Sequence, residues 1–180
     1  PARYLAADGA GEPGGQAFGE KTAGLYAAAF TIKMAGKAAG KADYKVGPLE
    51  ALWWTEPDGS FRPATPRRLW QWKLLIRTPE FVASADLAAA KDSLRAKGKP
   101  AAFEDVRLET IEEGRCAQML HVGPYEAIGE TVRRIMELLA REGLQPAGRY
   151  HEVYLSDPRR VDPAKLRTIV RLPACPAGGA

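Results

Sequence analysis

The sequence predicts an α+β fold. Two β-α-β-β modules with pseudo-two-fold symmetry form a mainly antiparallel sheet, with helices on one face and a central ligand cleft. Three observations predict it. A strand-helix-strand-strand order occurs twice along the 180 residues. The two hairpins overlay, so that Leu49-Glu50-Ala51-Leu52 falls where His151-Glu152-Val153-Tyr154 falls. Hydrophobic residues make up 46% of the chain, enough for an ordinary core and too many for a disordered one. The chain reads as one domain over 1–180. Its first module covers about 3–78, a connecting helix and strand about 80–112, and the second module about 115–173, with a loose tail over 174–180.

A first strand at about 3–8 leads into the glycine-rich stretch 8–15, read as a rim loop because its spacing fits no phosphate-binding motif. Phe18, Thr22, Leu25, Tyr26 and Ala29 then recur at helical spacing, predicting a helix that runs to about Met34 and fades over 35–42. Tyr44 to Trp54 and Leu69 to Arg77 read as a hairpin with a long loop, and Pro57-Asp58-Gly59 is its turn signature. Leu87, Lys91 and Leu94 mark an amphipathic helix that Ser84 or Asp86 can cap, and Val106–Ile111 reads as a strand. The second module opens with a strand at about 115–122. Ile128, Val132, Ile135, Met136 and Leu139 stripe a helix over about 126–142 that stops at Gly143. Two strands follow, Tyr150 to Leu155 and Leu166 to Leu172.

The formal net charge is +4, but the basic residues of the last helix alternate with acidic ones: Arg133, Arg134 and Arg141 with Glu130, Glu137 and Glu142. That is a solvated helix face rather than a nucleic-acid footprint, so no nucleic-acid partner is expected. No apolar run reaches the length of a membrane span. Cys116 and Cys175, with no recognisable leader, predict reduced thiols in the cytoplasm. Only His121 and His151 offer imidazoles and no Cys/His cluster has zinc spacing, so neither a metal nor a cofactor is expected.

The chemistry concentrates in Tyr150-His151-Glu152-Val153-Tyr154-Leu155. Side chains alternate along a strand, so Tyr150, Glu152 and Tyr154 share one face. Glutamate is depleted in strands, and this one is either an edge charge facing water or the polar centre of an aromatic pocket. Glu50 is its counterpart in the first hairpin. All four tryptophans, Trp53, Trp54, Trp70 and Trp72, fall in that hairpin, and Trp53 and Trp54 point to opposite faces. Their indoles are either core or flat walls for a planar or cationic ligand. Tyr125 and Tyr154 can each supply a phenol. Tyr125 also suits packing at a helix start, and His121 suits either a strand-end structural role or the site. The groove is expected on the side of the sheet away from the helices.

The segment His121-Val-Gly-Pro-Tyr125 and the run His151-Glu-Val-Tyr-Leu-Ser-Asp-Pro-Arg159 resemble the GyrI-like small-molecule-binding family. The stretches from Asp43 to Trp54, from Trp72 to Pro79 and from Leu166 to Arg171 resemble its stand-alone cyclopropanoid cyclopropyl hydrolase branch, which opens the cyclopropane ring of yatakemycin-type DNA alkylators. The chain departs from the branch pattern at Ala51 and Tyr150. The resemblance implies two SHS2-type modules around a cleft. It also implies that Glu152 is the cleft carboxylate, with Tyr125 beside it in catalysis. Trp53, Trp54, Trp72, Tyr150, Tyr154, Glu50 and His121 are then the substrate-binding candidates. The implied activity is hydrolytic detoxification of a planar hydrophobic xenobiotic. The alternative is sequestration of lipophilic cations without chemistry.

Overall fold

A computed structural model describes residues 1–57, 59–62 and 64–178. In chain order the elements are β1 (Ala2–Ala10), α1 (Gln16–Ala38), β2 (Leu49–Trp54), β3 (Gln71–Arg77), α2 (Ser84–Ala96), β4 (Arg107–Ile111), β5 (Cys116–Val122), α3 (Ile128–Arg141), β6 (Leu144–Pro146), β7 (Tyr150–Tyr154) and β8 (Arg167–Pro176). The class is α+β, and the strand pairs described below are antiparallel. Among the described residues no helix is long and apolar enough to cross a membrane. The chain divides into two compact units, Pro1–Leu49 with Pro66–Glu112, and Glu50–Thr65 with Glu113–Ala180.

In the first unit β1 is central, flanked by β3 and β4. Tyr4 to Ala7 are buried in succession, so this stretch of β1 has no solvent face, and the same holds for Leu74 to Ile76 on β3. Helix α1 buries Gly24, Leu25, Ala28, Ala29 and Ile32, a stripe of mostly small residues at helical spacing. It is longer than the sequence pattern implied. The alanine-rich stretch after Met34 continues it to Ala38, where Gly40 at φ +72° ends it. Strand β2 is correspondingly shorter than expected. Pro48 has no N–H to donate to a ladder, and Tyr44 turns aside to meet Phe81 edge-on at 5.8 Å. Helix α2 starts on Ala83 rather than on a Ser84 cap, and the Asp86 carboxylate accepts the Ala83 N–H at 2.8 Å.

Gly24 lets α1 approach the turn at Ala101–Phe103. A Cβ at this position would stand 2.6 Å from both the carbonyl carbon and the oxygen of Ala102. Gly24→Ala is therefore expected to destabilise the unit. Overpacking against backbone costs about 1–3 kcal/mol, and better helix propensity returns at most about 1 kcal/mol. A urea titration that finds the variant as stable as the parent would contradict this close approach.

In the second unit the strand order is β2-β7-β8-β5, with β6 pairing the far end of β8. Helix α3 buries Ile128, Thr131, Ile135 and Leu139, while Met136, expected on the apolar stripe, is exposed. The end of the chain is not a loose tail from 174. Strand β8 runs on through Cys175 to Pro176 because β6 pairs with Ala174, Cys175 and Pro176. In the loop after β2, the Gly59 N–H donates to the Glu56 carbonyl at 3.0 Å, and Gly59 adopts φ +85°. Asp58 of the expected turn lies outside the described residues.

Candidate functional site: a buried carboxylate between phenols

The register of the second unit decides what shares a face. Trp53 lies opposite Tyr150, Ala51 opposite Glu152, Glu152 opposite Val170, and Tyr154 opposite Thr168, which in turn lies opposite His121. His121 Nδ1 is 2.9 Å from the Thr131 hydroxyl on α3. So Trp53, Tyr150, Glu152 and Tyr154 are on the face that α3 covers. This corrects the expected placement of the site on the side away from the helices. Strand alternation made the two faces distinguishable but did not say which one a helix would cover.

Glu152 is buried at 9% exposure. Tyr150 Oη donates to its Oε1 at 2.5 Å and Tyr154 Oη donates to its Oε2 at 2.6 Å. Residues i and i+2 on one strand face stand side by side, so the alternation Tyr-x-Glu-x-Tyr suffices to build this clamp. Burial raises the proton affinity of Glu152. The two phenols and the Trp53 indole pull it back only in part, so its pKa stays above the usual carboxylate range. Burial, then the Glu152 charge, push the Tyr150 and Tyr154 phenols well above theirs. Both hydroxyls therefore stay protonated and donating. Among the described residues no lysine or arginine forms an ion pair with Glu152.

Aromatic rings extend the setting. Phe61, from the loop after β2, stacks on Tyr150 with centroids 5.1 Å apart and planes at 23°. Tyr125 meets Tyr154 edge-on at 5.8 Å. Burial and then the charge of Glu152 raise the Tyr125 phenol. His121 holds the turn that carries Tyr125. Its Nε2 donates to the Pro124 carbonyl at 3.1 Å, which leaves Nδ1 to accept from Thr131. Phe61 escaped sequence reasoning because an irregular loop has no periodicity to show where a side chain returns.

The remaining candidates sit elsewhere. Trp54 is half-buried under the Arg149 guanidinium, 3.8 Å from the ring centroid. Trp72 is fully buried in the first unit, where its ring lies over Gly9 and meets Phe18 edge-on at 5.4 Å. Glu50 lies opposite Val153 and so points to the other face from Glu152. The overlay of the hairpins made the two carboxylates equivalent in sequence, but antiparallel pairing places them on opposite sides of the sheet.

The fold and its aromatic-lined carboxylate describe a small-molecule-binding domain. The profile of the GyrI-like small-molecule-binding domain matches residues 80–174, over half of the chain. The chain belongs to the GyrI-like family. Among solved structures it is similar to an uncharacterized conserved protein from Listeria innocua (37% identity, 97% of this chain and 88% of that chain covered, TM-score 0.89). It is also similar to a hydrolase from Listeria innocua (37% identity, 97% and 87% covered, TM-score 0.84). The EcmrR C-terminal domain shares the fold alone, at 11% identity with 97% and 92% covered and a TM-score of 0.56. Comparison with curated proteins gives no match.

Proposed function

We propose that this chain is a small-molecule hydrolase. Its substrate is a planar, hydrophobic, cyclopropane-bearing electrophile of the DNA-alkylating cyclopropanoid type, and Glu152 is the general base. One observation carries the reading: a buried carboxylate of raised proton affinity is held between two phenols. The similarity to a hydrolase at 37% identity supports it. Each carboxylate oxygen that accepts a phenol keeps a further lone pair, which can take a proton from water. Phe61, Tyr125 and Tyr154, each partly exposed, offer flat surfaces for a planar ligand.

Water oxygen bonds to the unsubstituted ring carbon while Glu152 takes the water proton. The strained C–C bond breaks, and its electron pair flows into the dienone. The dienone oxygen takes a proton from water or from Tyr125, the proton held by Glu152 returns to that donor through solvent, and the ring becomes a phenol. A general base contributes typically about 10²–10⁴-fold, and ring strain with aromatisation supplies much of the remaining driving force. The protein, incubated with a cyclopropanoid alkylator, is expected to yield the ring-opened product that has gained one water. Alkylator recovered intact under conditions that show binding overturns hydrolysis.

One observation favours a second reading, sequestration of a lipophilic cation. No lysine or arginine among the described residues forms an ion pair with Glu152, so a bound cation would be its direct counter-charge. Binding of a cationic dye with no product formed from a cyclopropanoid selects that reading.

A further inference from the structure

The face of β7 turned away from Glu152 carries a second cluster, which the proposed hydrolysis does not use. The His151 side chain is 1% exposed. Its Nδ1 lies 2.8 Å from Glu113 Oε1 and its Nε2 lies 3.0 Å from Glu50 Oε2. Arg171 Nη1 donates to Glu113 Oε2 at 2.7 Å, and Arg171 Nε donates to Gln118 Oε1 at 3.1 Å. A neutral imidazole has one N–H and one lone pair, so it can donate to only one of the two carboxylates. An imidazolium donates from Nδ1 to Glu113 and attracts Glu50 across the 3.0 Å from Nε2, whose N–H is not aimed at that carboxylate. Burial opposes that charge, but Glu113 and Glu50 outweigh it and raise the proton affinity of the ring. Two cations and two anions then sum to zero, which is what buried charge requires.

The cluster spans the sheet of the second unit. Glu50 is on β2, His151 on β7, Arg171 on β8, and Glu113 in the turn that leads into β5. The chain enters this unit twice, at Glu50 and at Glu113, and His151 holds both entry points. Glu152 is the next residue, and its side chain leaves the same stretch of backbone on the opposite face.

We propose that His151 is a positioning residue for the Glu152 site. Held as an imidazolium between Glu50 and Glu113, it fixes the depth and twist of β7, so that Glu152 meets the Tyr150 and Tyr154 hydroxyls. Losing its proton releases one carboxylate and slackens the strand. The inference deepens the hydrolase reading and rests on it for the working role of Glu152, whereas the clasp itself rests on geometry. The charged and titratable groups around the ring are Glu50, Glu113 and Arg171. Cys116 lies beside Glu113 and Arg171, and Glu152 lies behind the strand.

The test needs neither ligand nor turnover. The chain has two histidines, so proton NMR of the full chain can follow the His151 imidazole, and carboxyl ¹³C NMR follows Glu152. His151 is expected to titrate above the usual imidazole range. Glu50→Gln and Glu113→Gln are each expected to move its midpoint to lower pH. The Glu152 carboxyl signal should show a second step at the His151 midpoint, and that step should move with the midpoint in both variants. His151→Gln should abolish it; should that variant not fold, the two glutamate variants carry the test. A ring that stays neutral throughout the folded range overturns the proposal. So does a Glu152 signal with no step at the His151 midpoint, the result of a merely structural role. A linked step found together with no cyclopropanoid turnover supports the clasp and removes the hydrolase reading.

Discussion

Glu152→Gln is expected to lower cyclopropanoid turnover by about 10²–10⁴-fold, the usual contribution of a general base, and yet to raise thermal stability at neutral pH. The carboxamide keeps the shape. Its oxygen accepts one phenol, and its NH₂ donates to the oxygen of the other, so Tyr150 and Tyr154 keep partners. What disappears is the lone pair that takes the water proton, together with a buried charge. Burial raises the proton affinity of Glu152 in the folded state. Its contribution to stability is therefore fully present below the unfolded value of about 4.3 and lost as pH rises through the folded one. Above that, the ionised group is a liability that the variant lacks, and a gain on the order of 1 kcal/mol is expected. In the parent, turnover should rise with pH through the same titration, while stability falls. Turnover by Glu152→Gln at the parent rate removes the assigned role. Calorimetry showing the variant less stable at pH 7 contradicts the account of burial.

His151→Leu is expected to have the largest effect on stability. Removing one partner of a buried charge cluster leaves the others uncompensated, which costs about 3–5 kcal/mol. Here Glu50 loses its imidazolium, and Glu113 retains only Arg171. The pH dependence identifies the cause. His151 is raised, so its contribution is complete below the unfolded imidazole value of about 6.5 and is lost as pH climbs through the folded one. Burial opposes ionisation of Glu113, but His151 and Arg171 outweigh it and hold its proton affinity below the usual carboxylate range. Its contribution is complete above about 4.3 and is lost as pH falls through the folded value. The clasp is therefore strongest between about pH 4.3 and 6.5. Urea midpoints measured across pH should show the parent advantage over His151→Leu greatest in that window and shrinking on both sides. A constant difference would mean that packing, not charge, was lost.

The order of elements was legible because helices and strands impose different periods on the chain. Leu25 and Ala29 on α1, and Ile128, Ile135 and Leu139 on α3, are buried as their spacing predicts. The opposite directions of Trp53 and Trp54 and the shared face of Tyr150, Glu152 and Tyr154 follow from the two-residue repeat. Strand β6 and the extension of β8 past Pro173 were not legible. A three-residue strand has no period, and only pairing between β6 and β8 makes either one a strand. Trp72 could be read as a ligand wall until its ring was found over Gly9, a fit set by the register of β1 and β3. Glu113 and Arg171 were not singled out by any pattern, because no local spacing shows that both converge on His151.

By itself the sequence determined the local geometry of the site. A carboxylate between two tyrosines at alternate positions must present all three on one side of a strand, because the pleat is a property of the backbone. Only the tertiary structure decided which side α3 covers, that Glu50 falls on the other, and that His151 lies between two buried carboxylates. Those outcomes depend on register and burial, which residues distant in sequence supply. The same distant contacts bury Glu152 and so give an ordinary carboxylate its raised proton affinity.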